Sequence, residues 1–126
     1  MADERKTLAL VAHDGKKADM VAFAISHRDV LQRYELVATR TTGQLLREKC
    51  NLEVRQMLSG PHGGDAQIAA QVAEGKIEAV FFFVDPLTAN PHDPDIQGLL
   101  RICNVHDVPL ATNAATASYI ISNKAL

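Results

Sequence analysis

Short apolar runs alternate along this chain with longer segments whose apolar residues recur at helical spacing. The runs lack the strict apolar–polar alternation of half-buried strands, which is typical of strands covered on both faces of a parallel sheet. We predict five such strands, at residues 7–12, 35–39, 54–58, 76–84 and 108–111. The fourth, with its run Ala-Val-Phe-Phe-Phe-Val, is expected to be the most buried.

The segments between the runs predict helices, because apolar residues lie along one side of each when it is wound at 3.6 residues per turn. Gly75 is expected to end one helix and Asn113 to cap the last. The helices are predicted over residues 16–27 with a continuation through Leu31, through Leu45 to Cys50, and over 66–74, 96–106 and 114–122. Residues 40–43 are predicted as the turn before the second helix.

Alternating strands and helices predict an α/β fold, because parallel strands are joined by right-handed crossovers. We therefore expect a three-layer open sheet of five parallel strands with helices on both faces. The 126 residues form one predicted domain, spanning residues 1–126, with no linker, repeat or low-complexity tract.

Polar residues follow four of the predicted strands at their carboxyl ends, where open parallel sheets bind their ligands. We expect these residues to converge on one rim. They are His13 and Asp14, residues 39–43, residues 59–65, and Asp85.

The stretch from Met57 to Ala66 contains three glycines and a proline, followed by one carboxylate. Glycine takes backbone angles that bulkier residues avoid and proline fixes its own φ, so this loop is predicted to be shaped, with N–H groups able to face an anion. Gly64 or Asp65 would then open a helix whose N-terminus favours negative charge. The alternative for Asp65 is a plain helix cap.

Residues Thr41, Thr42 and Gly43 follow Thr39 and open a predicted helix, an arrangement suited to phosphate. Lys16 or Lys17 could supply a cation at the same rim, and Ser59 and Gly60 further donors. Threonine acting only as an N-cap is the alternative.

Carboxylates and imidazoles are numerous near this rim. A carboxylate beside phosphate donors could act as a general base, with a neutral histidine polarising a carbonyl, a combination suited to proton abstraction next to a carbonyl. The alternative is a metal site formed by His92 and Asp95 with His13 or Asp65, although Asp93 as a helix cap is also consistent. The candidates are Asp14, Asp65, Asp85, Asp95, His13 and His92, whereas His27, His62 and His106 are expected to be surface or loop residues.

Composition narrows the classes of function. A formal charge of −2, no tryptophan and only 5% aromatic residues provide neither the basic face nor the stacking platform of a nucleic-acid binder. Cys50 and Cys103 are far apart in sequence and are expected to be reduced, partly buried helix residues. The longest apolar run is too short to span a bilayer, so we expect no membrane partner and a cytoplasmic protein.

Five motifs together give the chain a family resemblance. They are Val-Ala-His-Asp at 11–14, Thr-x-Thr-Thr-Gly at 39–43, Leu-Ser-Gly-Pro-x-Gly-Gly-Asp at 58–65, Asp-Pro-Leu-x-Ala-x-Pro-His-Asp-Pro-Asp at 85–95, and Ala-Thr-Asn-x-Ala-Thr at 111–116. In this order they cover nearly the whole chain, which resembles methylglyoxal synthase. The resemblance implies a cofactor-free lyase that converts dihydroxyacetone phosphate to methylglyoxal and phosphate, usually a homohexamer inhibited by inorganic phosphate. It also implies the strand order 3-2-1-4-5.

By the same resemblance, Asp65 is the base that takes a proton from the substrate carbon, His92 handles protons or polarises the carbonyl, and Asp95 is a further active-site carboxylate. Asp14 and Asp85 resemble the acids that orient the rim. The positions that match the substrate and phosphate pocket are His13, Lys17, Thr39, Thr41, Thr42, Ser59 and Gly60, and Gly43 belongs to the same phosphate motif.

Two departures concern phosphate binding. Arg40 stands where the family motif has its first glycine, and many relatives continue past the position of Leu126 into a basic segment. A different class of function also stays open, because a similar fold serves as a regulatory ligand-binding domain in carbamoyl-phosphate synthetase. Asp65, His92 and Asp95 occur together here, which favours catalysis. A phospho-acceptor receiver domain is disfavoured, since no lysine follows the fifth strand.

Overall fold

The computed structural model describes residues 5–87 and 96–122. Its five parallel strands form one sheet in the order β3-β2-β1-β4-β5, which confirms both the predicted open parallel sheet and the order implied by the resemblance. The strands are β1 (Thr7–Ala12), β2 (Glu35–Ala38), β3 (Val54–Gln56), β4 (Ala79–Phe83) and β5 (Leu110–Ala111).

Helices flank the sheet on both faces, as the pattern predicted. They are α1 (Lys17–Ser26), α2 (Arg28–Leu31), α3 (Arg40–Cys50), α4 (Gly64–Ala73), α5 (Ile96–Val105) and α6 (Ala114–Ser122). One apolar cluster contains residues of α1, α3 and α6, and the other contains residues of α4 and α5. The interior strand β4 supplies Phe81 and Phe83 to the first cluster and Phe82 to the second, which is why its sequence is continuously apolar.

The edge strands β3 and β5 are shorter than predicted, and so is β4, which spans Ala79–Phe83 where residues 76–84 were predicted. β3 pairs with β2 only from Val54 to Gln56, and β5 pairs with β4 only at Leu110 and Ala111. The ends of these strands are set by pairing with a neighbouring strand, which the apolar pattern does not specify.

Two helix boundaries also differ from the prediction. A 3₁₀ turn over Asp14–Lys16 precedes α1, so α1 begins at Lys17. Residues 40–43 form the first turn of α3 instead of a turn before it. This second correction matters for the site, because Thr41 and Thr42 then lie in the first turn of a helix, where the backbone N–H groups have no partner within the helix.

Two predicted helix ends are confirmed by their hydrogen bonds. Gly75 has φ 77°, and the N–H of Lys76 donates to the carbonyl of Gln71 at 2.9 Å, which closes the end of α4. At the start of α6, the N–H of Thr116 donates to Asn113 Oδ1 at 2.9 Å.

Both cysteines are free, lie in helices as predicted, and are more deeply buried than expected. Burial raises the pKa of Cys103 to about 11, and burial also raises the pKa of Cys50 although the nearby Arg28 opposes it. A raised thiol pKa keeps the uncharged form, so these side chains pack as small apolar groups. Among the described residues, no helix has the length and apolarity that crossing a membrane requires.

Candidate active site

The carboxyl ends of β3, β2, β1 and β4 lie side by side at one edge of the sheet. Adjacent strands are about 4.8 Å apart, so side chains that follow neighbouring strands are within reach of one ligand. His13 follows β1, Thr39 follows β2, and Asp85 lies just beyond β4. β1 pairs with β2 on one side and with β4 on the other. The strand order therefore reverses at β1 and β4, and their carboxyl ends form the topological switch point of the fold.

His13 is buried at the centre of this rim, with 9% of its surface exposed. Its Nδ1 accepts the backbone N–H of Asp85 at 2.9 Å, and its ring packs edge-on against Phe82 with centroids 5.3 Å apart. Because Nδ1 is occupied as an acceptor, the neutral ring carries its proton on Nε2. His13 is therefore held in the tautomer that presents an N–H donor from its far side.

Asp85 is half-buried next to His13. Its Oδ1 accepts the N–H of Leu87 at 3.0 Å, and Oδ2 lies directly against Gly15, where a Cβ would overlap it. The loops after β1 and β4 are thus in contact at the rim, which places Asp85 beside His13 as predicted.

Lys17 lies at the start of α1 and turns back over the end of β1. Its Nζ donates to the carbonyl of Ala12 at 3.1 Å and to Asp14 Oδ1 at 2.8 Å. The lysine side chain is 17% exposed and the aspartate 61%. A mobile side chain is therefore fixed with its charge at the carboxyl end of β1, where a phosphate-binding cation was predicted. Lys16 instead approaches the exposed Asp19 at 3.7 Å.

The N-terminus of α3 faces the same rim because it follows β2 directly. Thr39 and Thr42 are buried, whereas Thr41 is exposed. Gly43 is packed against Gln56 of β3, and a Cβ there would lie 2.8 Å from Gln56 Cγ. Thr39 occupies the N-cap position but makes no side-chain cap hydrogen bond, so the interpretation of these threonines as simple caps is not supported by contacts.

Thr42 Oγ1 is a buried hydroxyl with no hydrogen-bond partner among the described residues. Leaving a buried polar group unpaired costs about 1–3 kcal/mol. A ligand oxygen bound at the N-terminus of α3 would offer the missing partner.

The glycine loop between β3 and α4 is compact. The carbonyl of Ser59 accepts the N–H groups of His62 at 3.0 Å and Gly64 at 2.9 Å, and the carbonyl of Gly60 accepts the N–H of Gly63 at 3.0 Å. Gly63 has φ 98°, a conformation that favours glycine. The predicted shaped loop is therefore confirmed.

Asp65 is half-buried and is the second residue of α4. Its Oδ1 accepts the N–H of Ala66 at 2.8 Å, which holds the carboxylate at a helix end that favours negative charge. The loop that carries Asp65 follows β3, and β2 separates β3 from the strand β1 that precedes His13 and Lys17.

Two predicted site residues, His92 and Asp95, lie outside the described residues, and so does the alternative metal site that they would form. Within residues 5–87 and 96–122, no group of three or more His, Cys, Asp or Glu side chains is placed to hold a metal ion.

Contacts of three residues were not predicted. His62 Nδ1 lies 2.8 Å from Ser59 Oγ, and Gln67 Oε1 accepts the N–H of Leu58 at 2.8 Å. His27, expected to be a surface or loop residue, lies in the turn between α1 and α2, where it is half-buried with Nε2 3.1 Å from Ser118 Oγ. The spacing of Ser59 and His62 within a tight loop was the one available signal for the first pair.

The fold and rim define a class of protein: open α/β domains with a ligand site at the switch point. Residues 19–112 match the family model described as "MGS-like domain". The chain is 60% identical over 117 residues to methylglyoxal synthase of Thermus thermophilus, covering 93% of each chain. It is 56% identical over 114 residues to methylglyoxal synthase of Clostridium beijerinckii, covering 90% of this chain and 96% of that one.

The solved structures agree with the sequence relatives. The crystal structure of methylglyoxal synthase from Elizabethkingia anophelis superposes with a TM-score of 0.91 at 46% identity, covering 94% of this chain and 78% of that chain. The chain belongs to the methylglyoxal synthase family. Its relatives are lyases, and the resemblance seen in the five sequence motifs is confirmed.

Proposed function

We propose that this chain eliminates phosphate from dihydroxyacetone phosphate to give methylglyoxal. The observation that carries the proposal is 60% identity, over 93% of the chain, with a methylglyoxal synthase. The rim geometry supports it, because a fixed cation, a helix N-terminus and a carboxylate on a shaped loop occur at the carboxyl ends of adjacent strands. The reaction needs no external oxidant or reductant, so it is proposed to proceed without a cofactor.

The phosphate group is proposed to bind between α1 and α3. Lys17 supplies the positive charge, and the α3 N-terminus supplies N–H groups and the hydroxyls of Thr41 and Thr42. Thr39, Gly43, Ser59 and Gly60 complete the proposed lining. Thr42 Oγ1, which has no hydrogen-bond partner among residues 5–87 and 96–122, supports this placement. Inorganic phosphate is expected to bind here as product and inhibitor.

Asp65 is proposed to take a proton from the hydroxyl-bearing carbon next to the substrate carbonyl. The carbonyl oxygen takes up the electron pair, which gives an enediol-type intermediate. The hydroxyl on the deprotonated carbon then loses its proton and becomes the aldehyde carbonyl, the carbon–carbon double bond shifts toward the carbon that bears phosphate, and the bond from that carbon to the phosphate oxygen breaks. Phosphate leaves with the bonding electrons, and the remaining enol loses its O–H proton and gains one on its terminal carbon to become methylglyoxal.

The other polar residues are proposed to stabilise the oxygen charge that develops during this step. His13, held with its proton on Nε2 by the N–H of Asp85, has a donor for a substrate oxygen. Asp14 is proposed to orient Lys17 through its carboxylate, and Asp85 to orient His13 through its main-chain N–H. His92 and Asp95 keep the roles that the family resemblance implies, as proton-handling group and further carboxylate.

His92→Gln should lower kcat by at least about tenfold, because general acid–base groups contribute about 10² to 10⁴ and a neutral donor retains part of that effect. The pH profile of kcat should change, while a phosphate-bearing inhibitor still binds. Steady-state kinetics across pH and inhibitor titration measure both. Lost inhibitor binding with an unchanged pH profile would reduce His92 to a ligand contact.

The activity itself is tested by a coupled assay that follows methylglyoxal and released phosphate, with and without a chelator. Equal amounts of both products, unaffected by chelator, are expected. Saturable binding of the substrate without turnover would favour the regulatory domain. Activity lost to chelator and restored by a metal would favour the metal site.

Arg40 replaces the first glycine of the family motif, and a side chain there would be strained if the backbone had a positive φ, which it does not. Only Asn51 and Asp107 among the described non-glycine residues have positive φ, so Arg40 begins α3 without the cost of a left-handed conformation. Its side chain is exposed, and exposed charge pairs contribute up to about 1 kcal/mol.

Arg40→Gly should therefore raise KM and the phosphate inhibition constant together, by less than about fivefold, because about 1.4 kcal/mol corresponds to tenfold. The substrate, the transition state and the product all carry phosphate, so kcat should change little. Initial rates at two salt concentrations measure this, and the effect should shrink at high salt. A higher kcat with unchanged phosphate inhibition would contradict the proposal.

We further propose a cytoplasmic homo-oligomer, a hexamer by resemblance, built from a single domain. Single apolar side chains exposed on α1, α5 and α6 would be available to such an interface. Tyr119 is 71% exposed, Val105 63% and Ile25 57%. Light scattering in solution should give six times the chain mass of 13.7 kDa, and a monomer mass would contradict the proposal.

A further inference from the structure

Ser59 and His62 form a side-chain pair in the glycine loop, next to the proposed base. Ser59 Oγ lies 2.8 Å from His62 Nδ1. The main chain holds the two residues face to face, because the N–H of His62 donates to the carbonyl of Ser59 at 3.0 Å. Ser59 is half-buried at the rim and His62 is exposed beyond it, so the histidine approaches the hydroxyl from the solvent side.

The direction of the Ser59 proton decides what this hydroxyl offers a ligand. A serine hydroxyl has one proton and two acceptor lone pairs. If that proton points to His62 Nδ1, only lone pairs remain for the ligand, and a phosphate dianion repels them. If Nδ1 carries the proton and donates to Ser59 Oγ, the hydroxyl proton is released to donate to an anion, which is the stronger hydrogen bond.

We propose that His62 is a positioning residue for the substrate phosphate: Nδ1–H donates to Ser59 Oγ and turns the Ser59 hydroxyl toward the anion. The proposal rests on the proposed function, because it takes Ser59 as a phosphate contact. His62 occupies the position that the motif Leu-Ser-Gly-Pro-x-Gly-Gly-Asp leaves open, so the motif itself assigns it no role.

His62→Leu in the full chain should raise KM for dihydroxyacetone phosphate and the inhibition constant for inorganic phosphate, each by roughly three- to tenfold. The value of kcat should stay within about twofold, because the contact is the same in ground and transition states. His62→Asn should restore both constants, since its side-chain amide can donate to Ser59 Oγ from nearly the same place.

A double-mutant cycle separates positioning from a direct contact. Ser59→Ala should raise both constants as well, and adding His62→Leu to Ser59→Ala should change them no further, because His62 acts only through the hydroxyl. His106→Leu is the matched control, since His106 is also exposed and lies just beyond the end of α5. It should leave every constant unchanged.

Titration calorimetry with inorganic phosphate gives the same comparison without turnover. If the variants followed the expected cycle of phosphate affinities but the protein made no methylglyoxal, the proposed function would be wrong and the role of His62 would stand. Unchanged affinity in His62→Leu would overturn the role of His62, as would an equal loss in the Ser59→Ala background. Melting temperatures of all variants check that each remains folded.

Discussion

Asp65→Asn should lower kcat by about 10²- to 10⁴-fold, the range typical for loss of a general base, with little change in KM or melting temperature. The side-chain amide of asparagine is too weakly basic to take up the substrate proton. It can still accept the N–H of Ala66, which Oδ1 now accepts at 2.8 Å, so the start of α4 keeps its hydrogen bond. The measurement is kcat and KM together with thermal unfolding of both proteins.

Asp19→Asn is the matched control for this substitution. Asp19 also lies in the first turn of a helix, α1, and is exposed. The same loss of charge at a helix N-terminus costs about 0.3–1 kcal/mol of stability and should leave kcat unchanged. Near-normal turnover in Asp65→Asn would remove Asp65 from the mechanism, and an equal loss in Asp19→Asn would show that the effect is electrostatic and unspecific.

The sheet was predictable because its strands are apolar runs, which are stable only when other apolar residues cover both of their faces. The fourth run, with three consecutive phenylalanines, needs apolar cover on both faces, and the structure divides Phe81 and Phe82 between the two cores. The strand order was not derivable from this pattern. It came from the family motifs and is confirmed by the pairing of β1 with both β2 and β4.

The start of α3 shows where local propensity gave the wrong boundary. Threonine and glycine are poor helix formers, which favoured a turn at residues 40–43. Tertiary packing overrides that preference, because Thr42 is buried and Gly43 lies against Gln56 of the neighbouring strand. Such contacts join residues distant in sequence, so no local pattern reveals them.

The candidate site also has a part that the sequence predicted and a part that it did not. The rule that ligands bind beyond the carboxyl ends of parallel strands placed His13, Thr39 and Asp85 at one rim. It did not give the bond between His13 Nδ1 and the N–H of Asp85, because those residues are 72 positions apart. The rule therefore found the location, whereas the tautomer of His13 required the structure.

Gly64 is where the backbone of the glycine loop and α4 approach most closely. Its N–H donates to the carbonyl of Ser59 at 2.9 Å. A Cβ at this position would overlap the carbonyl oxygen of Leu58 and lie 3.1 Å from that of Ser59. Both obstacles are main chain and cannot rotate away, so any side chain must displace the loop that carries Ser59 from the helix that carries Asp65.

Gly64→Ala should lower the free energy of unfolding by about 1–3 kcal/mol, the usual cost of forcing atoms into a packed region. It should also lower kcat/KM by about 10²-fold, because a displacement near 1 Å in a positioning element is enough for such a loss. Urea unfolding and steady-state kinetics measure the two effects.

Gly98→Ala is the control: Gly98 lies in α5 with no described atom within 4 Å of an added Cβ. It should stabilise the chain by about 0.5–1 kcal/mol, since alanine favours a helix interior, and leave kcat unchanged. Normal stability and turnover in Gly64→Ala would mean that the loop can move without disturbing Asp65.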